Sequence, residues 1–280
     1  MTTATAYLDH SVLVDANLAV AADFGLEVEF PADNLPLNRN PLIAEPGDLK
    51  KLVPPNPATG RRMSDRLEAI RLFREKAGGE IPIMGWVEGA LAEASDLRSM
   101  YLTMTDLVSR PEWLTELLEI CAEVEIAFAR AQVEAGADII GLGDTVCSQI
   151  SPKMYQQFAL PYEQRIFTAV HEMGAVTRLH ICGNTTRLLP DMLQSGADII
   201  DLDWMVEIEK AAQLFDDKAA ICGNFDPVTV MLQDTPETVR DATLACIQKG
   251  GKRLFSGAGC EIPEGTPDEN LLAQRQTLGG

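Results

Sequence analysis

Basic side chains are scarce in this sequence: 23 Lys and Arg stand against 42 Asp and Glu, a formal net charge of −19 over 280 residues. The cations present are scattered rather than clustered. Neither nucleic acid nor an anionic membrane surface is attracted by such a chain. The plain consequence of the acidity is solubility. The start, Met1 to Tyr7, lacks a basic stretch followed by an apolar core, so no secretory signal is expected. No apolar run reaches the roughly 20 residues that span a bilayer. Six cysteines (Cys121, Cys147, Cys182, Cys222, Cys246, Cys260) show no secreted-scaffold spacing. The expectation is a cytoplasmic protein with reduced thiols, where clustered cysteines signal metal or catalysis.

Apolar side chains, by contrast, are plentiful at 46%, enough for a large core. The length fits one α/β barrel domain over 1–280. Near-identical phrases recur along it. Gly136-Ala137-Asp138-Ile139-Ile140 returns as Gly196-Ala197-Asp198-Ile199-Ile200, and Ile181-Cys182-Gly183-Asn184 returns as Ile221-Cys222-Gly223-Asn224. Glycine-flanked apolar runs without polar alternation suit parallel strands buried on both faces. Strands are predicted near 26–30, 81–86, 137–143, 176–182, 197–203, 219–225 and 253–258. Between them the periodicity is helical. Ser151-Pro152 and Thr235-Pro236 open two of these helices with a capping residue and a proline at the first helical position.

This alternation predicts a (β/α)8 TIM-like barrel, whose active face lies at the carboxyl ends of its strands. The eighth strand falls in the proline-rich stretch 31–60 or is missing. That stretch reads as a long loop over the barrel mouth. An open doubly wound sheet is the structural alternative, but no Gly-x-Gly-x-x-Gly opens a helix in the required context.

His180-Ile181-Cys182 and, about eighty residues later, Cys260 each close an apolar run. Residues i and i+2 of a strand share a face, so His180 and Cys182 can address one ion. Two thiolates and one imidazole suit zinc, and three protein ligands leave one position open, the catalytic pattern. Cys222 also ends a strand, but a fourth protein ligand would close the site. Cys121 and Cys246 read as helix packing, Cys147 has no evident role, and His10 and His171 read as structural or surface residues. Carboxylates end four strands: Glu88, Asp144, Asp203 and Asp226. Asp144 and Glu88 are the best placed to orient a ligand or act as a displaceable fourth one. Each could instead cap the following helix.

These phrases, with the run from Ile150 to Tyr162, Gly223-Asn224-Phe225-Asp226-Pro227 and the run from Gly257 to Pro263, resemble the uroporphyrinogen decarboxylase superfamily. Within it, the likeness is to the zinc-dependent methylcobamide:thiol methyltransferases. It covers the chain from about residue 10 to the end. The resemblance implies a distorted (β/α)8 barrel, with the shorter start here suggesting a shortened first element. It implies zinc on His180, Cys182 and Cys260; from their places at strand ends, Asp144 and Glu88 are the candidate catalytic residues and Asn184, Asp203 and Asp226 the candidate cofactor contacts. The implied reaction moves a methyl group from a methylated corrinoid, carried by a corrinoid protein, to a small thiol such as coenzyme M. A homodimer stays open. The decarboxylases of the superfamily lack this zinc set and carry an arginine-rich segment near the N-terminus, whereas the first arginine here is Arg39. A porphyrinogen carboxy-lyase and a non-catalytic member are the alternatives.

Overall fold

The computed structural model describes residues 41–77 and 79–279. The strand predicted at 26–30, the segment 31–40 and His10 lie outside the described residues. Six strands stand among those described: β1 (Met84–Glu88), β2 (Ile139–Gly143), β3 (Val176–Ile181), β4 (Ile199–Leu202), β5 (Ala220–Phe225) and β6 (Leu254–Ala258). They form one parallel sheet in chain order, β1 to β6. Each lies within a few residues of its predicted place. Ten α-helices are interleaved among the described residues: α1 (Arg61–Ala77), α2 (Ala90–Arg98), α3 (Met100–Ser109), α4 (Pro111–Ala135), α5 (Pro152–Phe158), α6 (Leu160–His171), α7 (Leu189–Met192), α8 (Ile208–Phe215), α9 (Pro236–Lys249) and α10 (Asp268–Thr277). The architecture is α/β and TIM-barrel-like, with sequential parallel strands as that plan requires. None of the described helices is long and apolar enough to cross a membrane.

The predicted helix starts hold. Ser151 Oγ accepts from Met154 N at 3.3 Å, and Thr235 Oγ1 accepts from Thr238 N at 3.4 Å. Each supplies a partner for an amide that the first turn leaves unpaired. α4 stops at Gly136, whose φ of 116° is a left-handed closure that glycine adopts freely. On the side of β1 away from β2, the backbone of Trp86 is met by a side chain of α4: Gln132 Oε1 accepts from Trp86 N at 2.9 Å and Gln132 Nε2 donates to Trp86 O at 2.9 Å. His171, read from the sequence as a structural or surface residue, is half-exposed, pairs with Asp198 at 3.0 Å and touches the Thr177 hydroxyl. Cys121 and Cys246 are packed in the core, as expected.

The register of the sheet builds the mouth. Glu88, Gly143, His180, Asp201 and Cys222 are successive partners across β1 to β5. One lateral row at the carboxyl end therefore carries two acids, an imidazole and a thiol. Trp86, one layer below, needs room across β2. A Cβ on Gly141 would lie 2.3 Å from Trp86 Cε3, so only glycine lets the indole lie flat there. Gly141→Ala is therefore expected to cost about 1–3 kcal/mol by overpacking. Urea unfolding measures it. In a Trp86→Ala background the same change should cost under about 0.5 kcal/mol, because the two sites are coupled through contact. An equal cost in both backgrounds would mean that the indole does not impose the glycine.

Candidate metal centre

β3 carries His180 near its end and delivers Cys182 one residue beyond it, and Cys260 follows β6 by two residues. The three ligand atoms converge. His180 Nε2 lies 3.0 Å from Cys182 Sγ and 3.8 Å from Cys260 Sγ, and the two sulfurs are 3.5 Å apart. Donors on one tetrahedral zinc, at Zn–S about 2.3 Å and Zn–N about 2.0–2.1 Å, stand about 3.6–3.8 Å from one another. The sulfur pair and the His180–Cys260 pair come close to that spacing, the His180–Cys182 pair at 3.0 Å is tighter, and the donor types suit zinc over magnesium. His180 is buried, whereas Cys182 and Cys260 are half-buried, so one side of the triangle faces the mouth.

Interlocked loops hold the cysteines. Gly183 N donates to Asp203 Oδ2 at 2.8 Å, fixing the turn behind Cys182. Asp203 Oδ1 accepts from Met205 N at 3.0 Å. Asn224 Nδ2 donates to Asp203 O at 3.0 Å and to Val206 O at 2.6 Å. Gly259 N donates to Phe225 O at 2.8 Å. A Cβ on Gly259 would sit 2.2 Å from Trp204 N, so this approach of two backbones demands glycine beside Cys260. The loops after β3, β4, β5 and β6 are thus one unit.

The orienting acid of the histidine is Asp201, which the sequence reading did not single out. Its Oδ2 lies 3.2 Å from His180 Nδ1, close enough to pair, though not aligned for a full hydrogen bond. Arg178 pairs with the same oxygen. The signal was available: once β3 and β4 are aligned, Asp201 is the residue opposite His180. Burial opposes the charged forms here, but His180 and Arg178 hold the Asp201 carboxyl below its usual range. Burial likewise opposes protonated His180, yet Asp201 and Cys260 lift it to about 10. Hydrogen bonds from Cys182 and His180 bring the Cys260 thiol down to about 5. The bond to Cys260, with burial, pushes the Cys182 thiol up.

The other predicted residues are placed as follows. Glu88 reaches the same lateral row as His180, and its Oε1 accepts from Trp86 Nε1 at 3.2 Å. Burial, then Glu125 and Asp96, push its carboxyl up. Asp144 is tied to the centre by its backbone, since Asp144 N donates to His180 O at 3.0 Å. Its side chain turns away into a buried group with Cys147 and Glu163. Burial pushes that carboxyl up to about 7. Asn184 is exposed and accepts from Thr186 N at 3.2 Å, and Asp226 Oδ1 caps Val228 N and Thr229 N. Cys222 stands beside Asp201 rather than with the three ligands, and burial together with that carboxylate pushes its thiol up to about 12.

The family model described as uroporphyrinogen decarboxylase (URO-D) matches residues 4–278. A methylcobamide:CoM methyltransferase MtbA of Methanosarcina mazei is 36% identical over 226 residues, covering 80% of this chain and 65% of that protein. The chain therefore spans a little under two thirds of that relative's length. A uroporphyrinogen decarboxylase of Carboxydothermus hydrogenoformans is 28% identical over 272 residues, 94% of this chain and 76% of that one. Among solved structures, a methyltransferase from Methanosarcina mazei superposes with a TM-score of 0.76 at 30% identity, covering 82% of this chain and 68% of that chain.

The proton inventory of the three ligands sets a pH dependence. Zinc binding must displace protons held by His180, with its pKa lifted to about 10, and by Cys182, also raised, whereas Cys260, at about 5, is already a thiolate at neutral pH. Two protons should be released per zinc between those limits, so affinity should rise about a hundredfold per pH unit. Below about pH 5 the Cys260 proton joins them and the dependence steepens. Competition with a chromophoric chelator from pH 6 to 8 checks the slope. A flat or falling affinity would contradict the assignment.

Proposed function

The chain belongs to the uroporphyrinogen decarboxylase (URO-D) family, and from that membership we propose that it is a methyltransferase that moves a methyl group from a methylated corrinoid to a small thiol. The observation that carries this reading is the His180, Cys182 and Cys260 triangle, open on one side at the mouth of the barrel. These three residues would hold zinc. Zinc bound there supplies a Lewis acid that favours the thiolate form of an incoming thiol, the form that attacks.

The chain's own residues supply the rest. Asp201, beside His180 Nδ1, is placed to accept from the N–H of that nitrogen and so leave Nε2 free to face the centre. Arg178 anchors Asp201 and offsets its charge. Asp203 and Asn224 keep the Cys182 turn in place, so the two sulfurs hold their separation through turnover. Glu88, two strands from His180 with only Gly143 between, is placed to face a substrate at the mouth. Burial, with Glu125 and Asp96, raises its pKa and so favours its neutral, hydrogen-bond-donating form. Trp204 and Met205, 44% and 47% exposed beside the Cys260 loop, offer an apolar rim for the flat face of a corrin. The corrinoid would arrive on a carrier protein. Free cysteines and the absence of a membrane-spanning helix among the described residues fit a reducing compartment such as the cytoplasm.

Methylcobalamin consumption by the purified protein should need both zinc and an added thiol such as coenzyme M. Asp201→Ala should lower zinc affinity or activity about 10–100-fold, the usual effect of removing the partner of a ligating histidine. His180→Ala should abolish both. Loss of carboxylates from uroporphyrinogen by the metal-free protein, with methylcobalamin left untouched under every thiol tried, would replace this reading by a carboxy-lyase.

A further inference from the structure

We propose that this chain has a second metal site, built by Asp144, Cys147 and Glu163 beneath the mouth, and that it takes a divalent ion of zinc's class. Each of the three residues offers a ligand atom within 4.8 Å of the other two. All three are fully buried, so bulk water cannot solvate them. Two carboxyl oxygens in the group, Asp144 Oδ2 and Glu163 Oε1, have no hydrogen-bond partner. A buried carboxyl oxygen left unpaired is costly unless a proton or a cation meets it.

The partners that these carboxyls do have are neutral and orient them. Asp144 Oδ1 accepts from Ala92 N at 3.1 Å, at the start of α2. Glu163 Oε2 is held by the Tyr155 hydroxyl. Each carboxyl is thus gripped by one oxygen and turns the other toward the group, where the Cys147 thiol stands against Asp144. The chain makes room for the arrangement: a Cβ on Gly89 would lie 2.3 Å from Asp144 Cγ. The ligands come from the end of β2, from the turn Thr145–Gln149 and from α6, so an ion would tie three elements together.

The donor set decides the ion. One thiolate with two carboxylates suits a borderline-soft divalent cation better than calcium or magnesium, which prefer oxygen throughout. The role would be structural, because the site is enclosed and opens on no substrate path. It would still bear on the reaction, since Asp144 N donates to His180 O and so braces the ligand strand. The site does not depend on the methyl-transfer reading. It is also separate from the first centre in accessibility: Cys182 and Cys260 are half-buried, whereas Cys147 is not exposed at all.

Native mass spectrometry and elemental analysis of the full chain, produced with zinc supplied, test the proposal. Two ions per wild-type chain are expected, of which a chelator removes one quickly and the other only as the protein unfolds. Cys182→Ala with Cys260→Ala should keep one ion, and Cys147→Ser with Glu163→Gln should lose that slow one. If either pair fails to fold, the wild-type stoichiometry and His180→Ala give the same discrimination. A wild-type chain that holds a single ion, kept after loss of Cys182 and Cys260, would support this site and sink the first. At most one ion per chain, lost with Cys182 and Cys260 or with His180, would overturn it and leave two carboxyl groups that hold protons instead.

Discussion

The parallel register of β3 against β4 sets Asp201 beside His180, and the chemistry at the mouth depends on that pairing. An imidazole offers two nitrogens, and only a fixed partner on one makes the other a dependable ligand. Asp201 would be costly to bury alone. Arg178, two residues before His180 on the same strand, meets it from the same face. One pair of aligned strands therefore provides the ligand, its orienting acid and the counter-charge. The loops that follow β3, β4, β5 and β6 then bring both cysteines to that nitrogen through backbone contacts that Gly183, Asn224 and Gly259 share.

The interior around this centre carries an unusual load of acid. Glu88, Glu93 and Glu125 are all buried near one another, and burial pushes each carboxyl up, with Glu125 adding to the effect on the other two. Such groups hold protons at neutral pH or gather around a cation. Arg98 is the basic counterpart, and it follows the other solution. It is fully buried, paired with Asp106, bonded to the carbonyls of Ile43 and Ala44, and stacked 4.2 Å over the Trp113 ring. A charge so enclosed persists because the ion pair at Nε, the two carbonyls at Nη1 and the ring face offset the loss of water, while Nη2 is left without a hydrogen-bond partner. Those same bonds pin residues 43 and 44, within the stretch that the sequence predicts as an irregular loop, to the end of α2.

The fold could be read from the sequence because parallel strands buried on both faces leave a plain trace. Ile139 to Gly143 and Ile199 to Leu202 are near-continuous apolar runs, and both were located within two residues at each end. The ligand set was readable for a related reason. His180 and Cys182 are close along the chain and share a face, whereas Cys260 was reached through its own strand. Asp201, by contrast, was lost among the acids of an acidic protein, because its value comes from strand alignment rather than from local pattern. Glu163 escaped notice too. It lies within a helix, and only the return of α6 against the end of β2 brings it to Asp144 and Cys147. Asp144 shows the limit of reasoning from strand ends alone. Its backbone serves His180, while its side chain turns to another group.

The central claim is that His180, Cys182 and Cys260 hold zinc with one position open for a thiol. X-ray absorption at the zinc edge tests it most directly, on Cys147→Ser with Glu163→Gln so that only this centre contributes. Without thiol, the spectrum should fit two sulfurs at about 2.3 Å and lighter donors at about 2.0–2.1 Å. Adding a small thiol should raise the sulfur count from about two to about three, at the expense of a lighter donor. A spectrum of nitrogen and oxygen donors only, or a sulfur count that does not change with thiol, would contradict the account.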